Sequence, residues 1–246
     1  MKAMVLAAGL GTRLRPLTHD RPKALVEVNG RTLLEITLMR LRDFGVTDVI
    51  VNVHHCADMI VDYLGARRNL AMHIAISRED DLLLDTGGGL KKAAWFFLED
   101  ARDEPFLLHN VDVLSNIDLS RIVQLHKEQK ALATLAVQQR SSSRQLLFDD
   151  DGLLCGRRFE REQRTELARF AEPLHPLAFC GIHVISPRLV RMMTEDGAFS
   201  IIETYLRLAA SNERILAFRA DQAYWRDLGT IESLQLAAKD APNLLS

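Results

Sequence analysis

The sequence predicts an α/β fold, with a mixed, mostly parallel sheet that carries helices on both faces. Three observations predict it. Apolar runs alternate with amphipathic segments from the first residue, as in repeated strand–helix units. A glycine-rich loop follows the first apolar run directly. The chain has 246 residues and is 48% hydrophobic, which suffices for a full core. We expect a single domain over residues 1–246.

The first half predicts four successive strand–helix units. Their strands are expected at residues 2–7, 48–53, 72–77 and 106–110. Thr32 and Glu35 form a capping box for a helix that ends at Gly45. The triple glycine at 87–89 predicts a turn into a helix that continues to Phe97.

The second half predicts antiparallel strands that join the same sheet. Further strands are expected at residues 131–138, 179–185 and 214–219. Residues 145–159 have the pattern of a hairpin. Ser186 and Ser200 are typical N-cap residues and predict two helix starts. The charged stretch at 157–169 is predicted to be a mobile loop.

The composition argues against several classes of partner. Lys and Arg number 31 against 33 Asp and Glu, a net charge of -2, so no overall basic field favours nucleic acid or an anionic membrane. No stretch approaches the length of a membrane span. The three cysteines lack the close pairs of a zinc or redox motif, which favours a reducing cytoplasm. The composition does not indicate an oligomeric state.

The glycine-rich loop after the first strand is the strongest local signal. Gly9 and Gly11 precede Arg13, and Lys23 follows a proline, so backbone N–H groups and two cations can surround phosphate oxygens. A dinucleotide fingerprint would need glycine at Leu14, and a P-loop would need a Gly-Lys pair after four intervening residues, which this loop lacks. The alternative is a tight turn whose basic side chains lie in solvent. One short loop combines two glycines with basic residues and prolines, which favours phosphate binding. Lys23 is expected to be exposed on this loop.

This loop closely resembles the opening signature of the sugar-1-phosphate nucleotidyltransferases, which is Gly-x-Gly-Thr-Arg, then Pro-x-Thr, then Pro-Lys. Residues 85–89 match the second nucleotide loop of that family, residues 110–112 its first metal aspartate, and residues 225–230 its second. The resemblance therefore covers the whole chain. It implies a Rossmann-like fold, dependence on Mg²⁺, and a reaction that joins a nucleoside triphosphate to a sugar 1-phosphate and releases pyrophosphate.

The resemblance also implies a role for each matched position. Arg13 and Lys23 would hold the phosphates and stabilise the charge that develops during transfer. Asp112 and Asp227 would hold Mg²⁺. The expected sugar contacts are Asn110 and Gly181. The expected nucleotide contacts are Leu6, Ala8, Gly9, Gly11, Thr12, Arg13, Lys23, Thr86, Gly87 and Gly88.

The two aspartates are also candidates on physical grounds. Asp112 follows an apolar run and Asp227 follows two aromatic residues, so both are expected at strand ends that line a crevice. Mg²⁺ prefers a few carboxylates together with substrate phosphates. The alternative for each is a turn or helix-capping residue. The family usually has glycine before the first aspartate, and Val111 at that position would crowd the ribose or the sugar.

The substrate pair follows from a narrower resemblance. The triple glycine at 87–89 and the stretch at 180–182 most resemble short, single-domain members that use UTP and N-acetylmuramate 1-phosphate. GTP with mannose 1-phosphate is the alternative. A catalytically silent nucleotide-sugar-binding homologue and a glycosyltransferase are hypotheses from other classes. Leu114 interrupts the Asp-x-Asp motif that a glycosyltransferase would place at Asp112.

Three further groups are interpreted as structural. His54, His55 and Cys56 point to alternating faces of a strand end and so do not form one metal site. The aromatic run at 95–97 is predicted to be core. Cys180 is predicted to be buried packing in a strand.

Overall fold

The computed structural model describes residues 1–67, 70–99, 103–240 and 244. Its strands are β1 Lys2–Leu6, β2 Glu27–Val28, β3 Arg31–Thr32, β4 Asp48–Val53, β5 His73–Arg78, β6 Phe106–Asn110, β7 Val113–Ser115, β8 Ala133–Gln138, β9 Arg144–Phe148, β10 Leu154–Phe159, β11 Arg164–Leu167, β12 His175–Ile185, β13 Ile215–Arg219 and β14 Trp225–Asp227. Its α-helices are α1 Leu33–Asp43, α2 Ala57–Ala66, α3 Asp85–Lys92, α4 Ala94–Leu98, α5 Leu119–Glu128, α6 Pro187–Arg191, α7 Ile201–Ala210 and α8 Ile231–Asp240.

A ten-stranded mixed sheet forms the centre of the molecule, which confirms the predicted fold class. Its main path runs β11-β10-β9-β12-β6-β1-β4-β5, and β8 pairs with both β12 and β13. The pairs β1–β4, β1–β6, β4–β5 and β8–β13 are parallel, whereas β12 is antiparallel to each of its neighbours. Within this sheet, all strands except β10 and β12 therefore run in one direction.

Two apolar clusters cover the two faces of the sheet. Because successive side chains of a strand point to opposite faces, Ala3 and Val5 join one cluster while Met4 joins the other. Residues of α1, α2, α5 and α8 belong to the first cluster, and residues of α3, α4, α6 and α7 belong to the second. The helices thus cover both faces, as predicted.

The predicted caps explain where several helices begin. The Thr32 hydroxyl accepts a hydrogen bond from the Glu35 backbone N–H at 3.1 Å and so caps α1. The Glu35 carboxylate accepts from Tyr63 and Arg67, so the reciprocal bond of the predicted capping box is not formed. The Ser186 and Ser200 hydroxyls accept from Arg188 N–H and Ile202 N–H at the starts of α6 and α7. None of the helices among the described residues is long and apolar enough to span a membrane.

Three local predictions are wrong. The triple glycine lies inside α3 rather than in a turn before it. The charged stretch predicted to be a mobile loop forms most of the antiparallel pair β10–β11, in which the Arg157 side chain contacts Glu166 at 2.6 Å. Trp95 is 53% exposed, although its neighbours Phe96 and Phe97 are buried as expected.

The strands that run parallel to β1 bring their carboxyl ends to one edge of the sheet. β1 ends at Leu6, β6 at Asn110 and β8 at Gln138, so the loops that follow these strands meet there. A small antiparallel pair, β7–β14, lies just beyond the end of β6 and pairs Asp227 with Val113. This pairing brings Asp227 next to the segment that carries Asp112.

Candidate active site

The first glycine loop folds back on itself. Gly11 adopts a left-handed conformation with φ of 65°, which glycine tolerates best. Its carbonyl accepts hydrogen bonds from Leu14 N–H at 2.9 Å and from the Thr18 hydroxyl at 2.8 Å. A Cβ on Gly11 would lie 2.9 Å from the Cβ of Lys23, so the absence of a side chain lets the two arms of the loop approach.

Lys23 begins a short 3-10 helix, Lys23–Leu25, that Ala24 anchors in the core. Its ammonium group donates to the Asp112 carboxylate. The two side chains are only 11% and 16% exposed, so the predicted exposure of Lys23 is wrong. Lys23, a predicted phosphate-binding cation, and Asp112, a predicted metal ligand, therefore form one ion pair.

Arg13 and Asp227 form a second, more open pair. Their Nη2 and Oδ1 atoms are 3.6 Å apart, and the side chains are 63% and 43% exposed. The same Asp227 oxygen accepts from the Gly229 N–H at 2.7 Å. The Leu228 N–H donates to the Asp112 carbonyl at 2.8 Å, so the two aspartate segments are joined through the backbone. Each cation thus faces one of two aspartates in neighbouring segments.

A cleft of about 560 Å³ opens beside these pairs, and its volume lies in the usual range for a small-molecule site. Seven residues predicted to bind substrates or metal line it: Leu6, Ala8, Gly9, Lys23, Thr86, Asn110 and Asp112. The other lining residues are Asn52, Leu83, Asp85, Val111 and Ala198. The cleft joins the first glycine loop, the start of α3 and the end of β6 in one concave surface.

Sequence reasoning missed a polar network at the floor of this cleft. The Asn52 side chain accepts from Ala7 N–H at 2.7 Å and donates to Glu79 at 2.7 Å. The other Glu79 oxygen accepts from Leu84 N–H at 2.9 Å. Glu79 is 1% exposed. Asn52 is a polar residue within the otherwise apolar strand β4, and this interruption was the sequence signal for the network. The network connects β4 with the segments that follow β1 and β5.

The second glycine segment is held by a distant part of the chain. The backbone N–H groups of Gly87 and Gly88 donate to the Phe199 carbonyl at 2.9 and 3.3 Å. The Thr86 hydroxyl accepts from Ile201 N–H at 3.0 Å. Of the three predicted contacts here, only Thr86 lines the cleft. The assignment of Gly87 and Gly88 as nucleotide contacts stays a prediction.

The two predicted sugar contacts lie side by side on β6 and β12. Gly181 has φ of 73°, and a Cβ there would lie 2.9 Å from the Asn110 amide nitrogen. The Asn110 amide oxygen is buried and has no hydrogen-bond partner among the described residues. Such an acceptor is available to a ligand donor, because an unpaired buried polar atom costs free energy.

Val111 both lines the cleft and packs into the core. Its side chain is 5% exposed, its N–H donates to the Leu6 carbonyl at 3.1 Å, and its carbonyl accepts from the Thr37 hydroxyl at 3.3 Å. These bonds attach the residue before Asp112 to β1 and to α1. The backbone that carries the aspartate is therefore fixed from two sides.

The two aspartates fit a divalent cation that substrate phosphates also bind. Within the described ranges, no group of three or more His, Cys, Asp and Glu side chains could hold a metal by itself. Two carboxylates in adjoining segments, each facing a cation, are a donor set that Mg²⁺ accepts when phosphate oxygens and water complete its coordination.

Two relatives show how far the likeness extends along the sequence. The chain is 36% identical over 247 aligned residues to an N-acetylmuramate alpha-1-phosphate uridylyltransferase of Caulobacter vibrioides, with 96% of this chain and 95% of that protein covered. It is 30% identical to a UTP--glucose-1-phosphate uridylyltransferase of Synechocystis sp., which covers 94% of this chain and 61% of that protein.

Solved structures show the same fold at lower identity. The crystal structure of a putative glucose-1-phosphate thymidylyltransferase from Bacillus anthracis superposes with a TM-score of 0.78 at 18% identity, covering 97% of this chain and 94% of that one. The family model described as nucleotidyl transferase matches residues 2–147, more than half of the chain, and includes the glycine loop, Lys23 and Asp112. The chain belongs to the nucleotidyl transferase family.

Proposed function

We propose that this protein transfers the uridylyl group of UTP to N-acetylmuramate 1-phosphate, with Mg²⁺, and releases pyrophosphate. The observation that carries the proposal is the double pairing of Lys23 with Asp112 and of Arg13 with Asp227 beside the cleft. Two cations and two carboxylates close together support a site for phosphates and a divalent ion. The name of the Caulobacter vibrioides relative supports the substrate pair.

The reaction requires an oxygen of the sugar phosphate to attack the α-phosphorus of the nucleotide while the bond from that phosphorus to the bridging oxygen breaks. No protein base is needed, because the sugar phosphate is already anionic at neutral pH. The residues must then orient the two substrates and offset the negative charge that develops on the leaving pyrophosphate. Lys23 and Arg13 are the cations for this task.

Each side of the site has a defined part in that scheme. The loop at Gly9 to Lys23 would surround the triphosphate, and Thr86 would contact the nucleoside from the opposite wall. Asn110 would contact the sugar through its unpaired oxygen. Asp112 and Asp227 would hold Mg²⁺, which supplies Lewis-acid stabilisation of phosphoryl charge when bound. The aspartates also hold Lys23 and Arg13 in position before substrate binds.

The setting of the reaction is part of the same proposal. One domain over residues 1–246 would carry the whole site, because residues from the first loop to β14 contribute to it. The three free cysteines suit a reducing cytoplasm, where nucleoside triphosphates are available. The product would be an activated amino sugar acid for cell-wall recycling. Nucleic acid and membrane surfaces are not expected partners, given the net charge of -2.

A substrate matrix tests the proposal. UTP, GTP, CTP, ATP and dTTP are each incubated with N-acetylmuramate, glucose, N-acetylglucosamine and mannose 1-phosphates in the presence of Mg²⁺, and pyrophosphate release is measured. The highest kcat/KM is expected for UTP with N-acetylmuramate 1-phosphate. A maximum at GTP with mannose 1-phosphate would favour the alternative, which is the activity named for a rice relative 28% identical to this chain. No release with any pair would refute nucleotidyl transfer.

A further inference from the structure

A third cation, Arg140, lies at the same edge of the sheet. Arg140 follows the carboxyl end of β8, which runs parallel to β6 and so ends on the side of Asn110. Its guanidinium lies over the Trp225 ring, 3.7 Å from the ring centroid. Trp225 is two residues before Asp227 on β14. Arg140 is therefore attached to the strand that carries the second aspartate.

The position of the Arg140 guanidinium is fixed by the Trp225 ring and the Phe179 carbonyl. Its Nη2 donates to the Phe179 carbonyl at 2.8 Å, and the Trp225 indole N–H donates to the Cys180 carbonyl at 2.8 Å. Both acceptors lie on β12, directly before Gly181. Stacking on an aromatic face and a hydrogen bond at one edge hold the guanidinium plane in one orientation. This orientation is set before any ligand arrives.

Asp227 offsets the charge of Arg140 only from beyond ion-pair distance. Among the described residues, no carboxylate oxygen lies within 4 Å of its guanidinium nitrogens, and its Nε is buried without a hydrogen-bond partner. Burial lowers the pKa of Arg140, while the nearby Cys180 and Asp227 act in the opposite direction. An arginine that is partly buried and unpaired is costly unless a ligand supplies the anion.

The reaction needs such an anion-binding group. Lys23 and Arg13 each face a carboxylate, so their charge is partly offset before the substrates bind. A triphosphate and a sugar phosphate together bring more negative charge than these two cations and one Mg²⁺ balance. Arg140 does not line the cleft itself, but it binds β12 two residues before Gly181. Gly181 lies against Asn110, which is part of the cleft wall. An anion there would belong to the second substrate.

We propose that Arg140 binds the phosphate of the sugar 1-phosphate and orients its attacking oxygen toward the nucleotide. The inference rests on the proposed nucleotidyl transfer and assigns a residue that the sequence patterns do not mark. A guanidinium suits the task because its N–H groups can bind two oxygens of one phosphate in a fixed plane. The Trp225 ring and the Phe179 carbonyl restrict the orientation of that plane.

The test compares Arg140→Gln with the matched control Arg164→Gln. Arg164 also stacks on an aromatic ring, 4.3 Å from the Phe159 centroid, but lies on β11 and pairs with Glu162 and Glu166. In initial-rate kinetics, Arg140→Gln should raise KM for the sugar 1-phosphate at least about tenfold and lower kcat/KM for it about 100-fold. KM for the nucleoside triphosphate should stay within about twofold, and the control should match the wild type.

The outcomes separate this inference from the proposed function. An unchanged KM for the sugar 1-phosphate in an active Arg140→Gln enzyme overturns the role of Arg140 alone. An equal rise in KM for both substrates also overturns it, because that result indicates support of β14 through Trp225. If Arg140→Gln does not fold, the KM values for both substrates are measured for Arg140→Lys and judged in the same way. A wild-type protein that releases no pyrophosphate with any substrate pair overturns the proposed function itself.

Discussion

At the scale of single residues, the site is organised by charge pairs. That the glycine loop, Lys23 and both aspartates lie together could be predicted from the sequence, because they match separate parts of one family signature. Which cation faces which carboxylate could not be predicted, since that depends on β7 pairing with β14. The burial of Lys23 could not be predicted either, because Ala24 anchors it in the core from within an irregular loop.

The first prediction concerns Lys23. Lys23→Ala should lower kcat at least about 100-fold, because the lost ammonium no longer offsets developing phosphate charge. It should also destabilise the fold by about 1–3 kcal/mol, since Asp112 is only 16% exposed and loses its partner. Initial rates and urea unfolding measure the two effects. Arg15→Ala removes an exposed cation from the same loop and should change neither quantity. Normal turnover by Lys23→Ala would exclude Lys23 from the mechanism.

The second prediction concerns the shared metal. Asp112→Asn and Asp227→Asn should each lose most of the rate, and the double variant should lose little more, because ligands of one ion act as a unit. The rates are compared at saturating Mg²⁺, with Asp151→Asn at the exposed hairpin tip as the control. A shared ion would be contradicted if the rate loss of the double variant equalled the product of the two single losses. A wild-type rate for Asp112→Asn would contradict it as well.

At the scale of elements, α3 shows where local patterns fail. Three consecutive glycines favour a turn, yet they lie within the helix because other parts of the chain lie directly against them. A Cβ on Gly87 would collide with the Phe199 ring, and one on Gly89 would lie 2.9 Å from Asn52 and from Glu79. Phe199 and Asn52 are far from α3 in sequence. The glycines are therefore explained by tertiary packing, which the sequence pattern alone does not show.

The third prediction tests this packing. Gly87→Ala should destabilise the protein by about 1–3 kcal/mol, because its methyl group must displace Phe199. Gly65→Ala in α2 is the matched control, since nothing lies within 4 Å of a Cβ at that helical position. It should stabilise the protein by up to about 1 kcal/mol through helix propensity. Thermal unfolding should therefore show opposite shifts in Tm. Equal shifts would contradict the close approach of Phe199.

At the scale of the whole molecule, the sheet and the helix N-caps could be predicted, because strand periodicity, helix periodicity and capping residues are local properties of the sequence. The β10–β11 pair was missed, because its charged sequence resembles a loop and its order comes from cross-strand ion pairs such as Arg157 with Glu166. The interior also holds histidines without sequence signals. Burial lowers the pKa of His109 and of His183 to about 3, and that of His126 to about 4.

The fourth prediction is the pH dependence of folding that follows from these histidines. Their folded-state pKa values lie below the unfolded value of about 6.5, so the unfolded chain binds more protons between these limits. The free energy of unfolding should fall as pH decreases from about 6.5 toward 4, by roughly 1.4 kcal/mol per pH unit for each histidine.

Urea unfolding at pH 4 to 8 measures this dependence. His126→Gln should reduce the slope below pH 6.5 by the share of one histidine, whereas His73→Gln, whose side chain is 93% exposed, should leave it unchanged. A stability that does not fall between pH 6.5 and 4 would show that the buried histidines are protonated in the folded state.

The central claim is nucleotidyl transfer at the edge of the sheet where Asp112 and Asp227 meet, and ³¹P NMR of the reaction tests it most directly. With UTP, N-acetylmuramate 1-phosphate and Mg²⁺, the spectrum should lose the triphosphate and sugar-phosphate signals. It should gain signals of pyrophosphate and a nucleoside diphosphate sugar in equal amounts. With Asp227→Asn, the spectrum of the starting mixture should stay nearly unchanged. Release of orthophosphate, pyrophosphate formed without the sugar phosphate, or full product formation by Asp227→Asn would contradict the account.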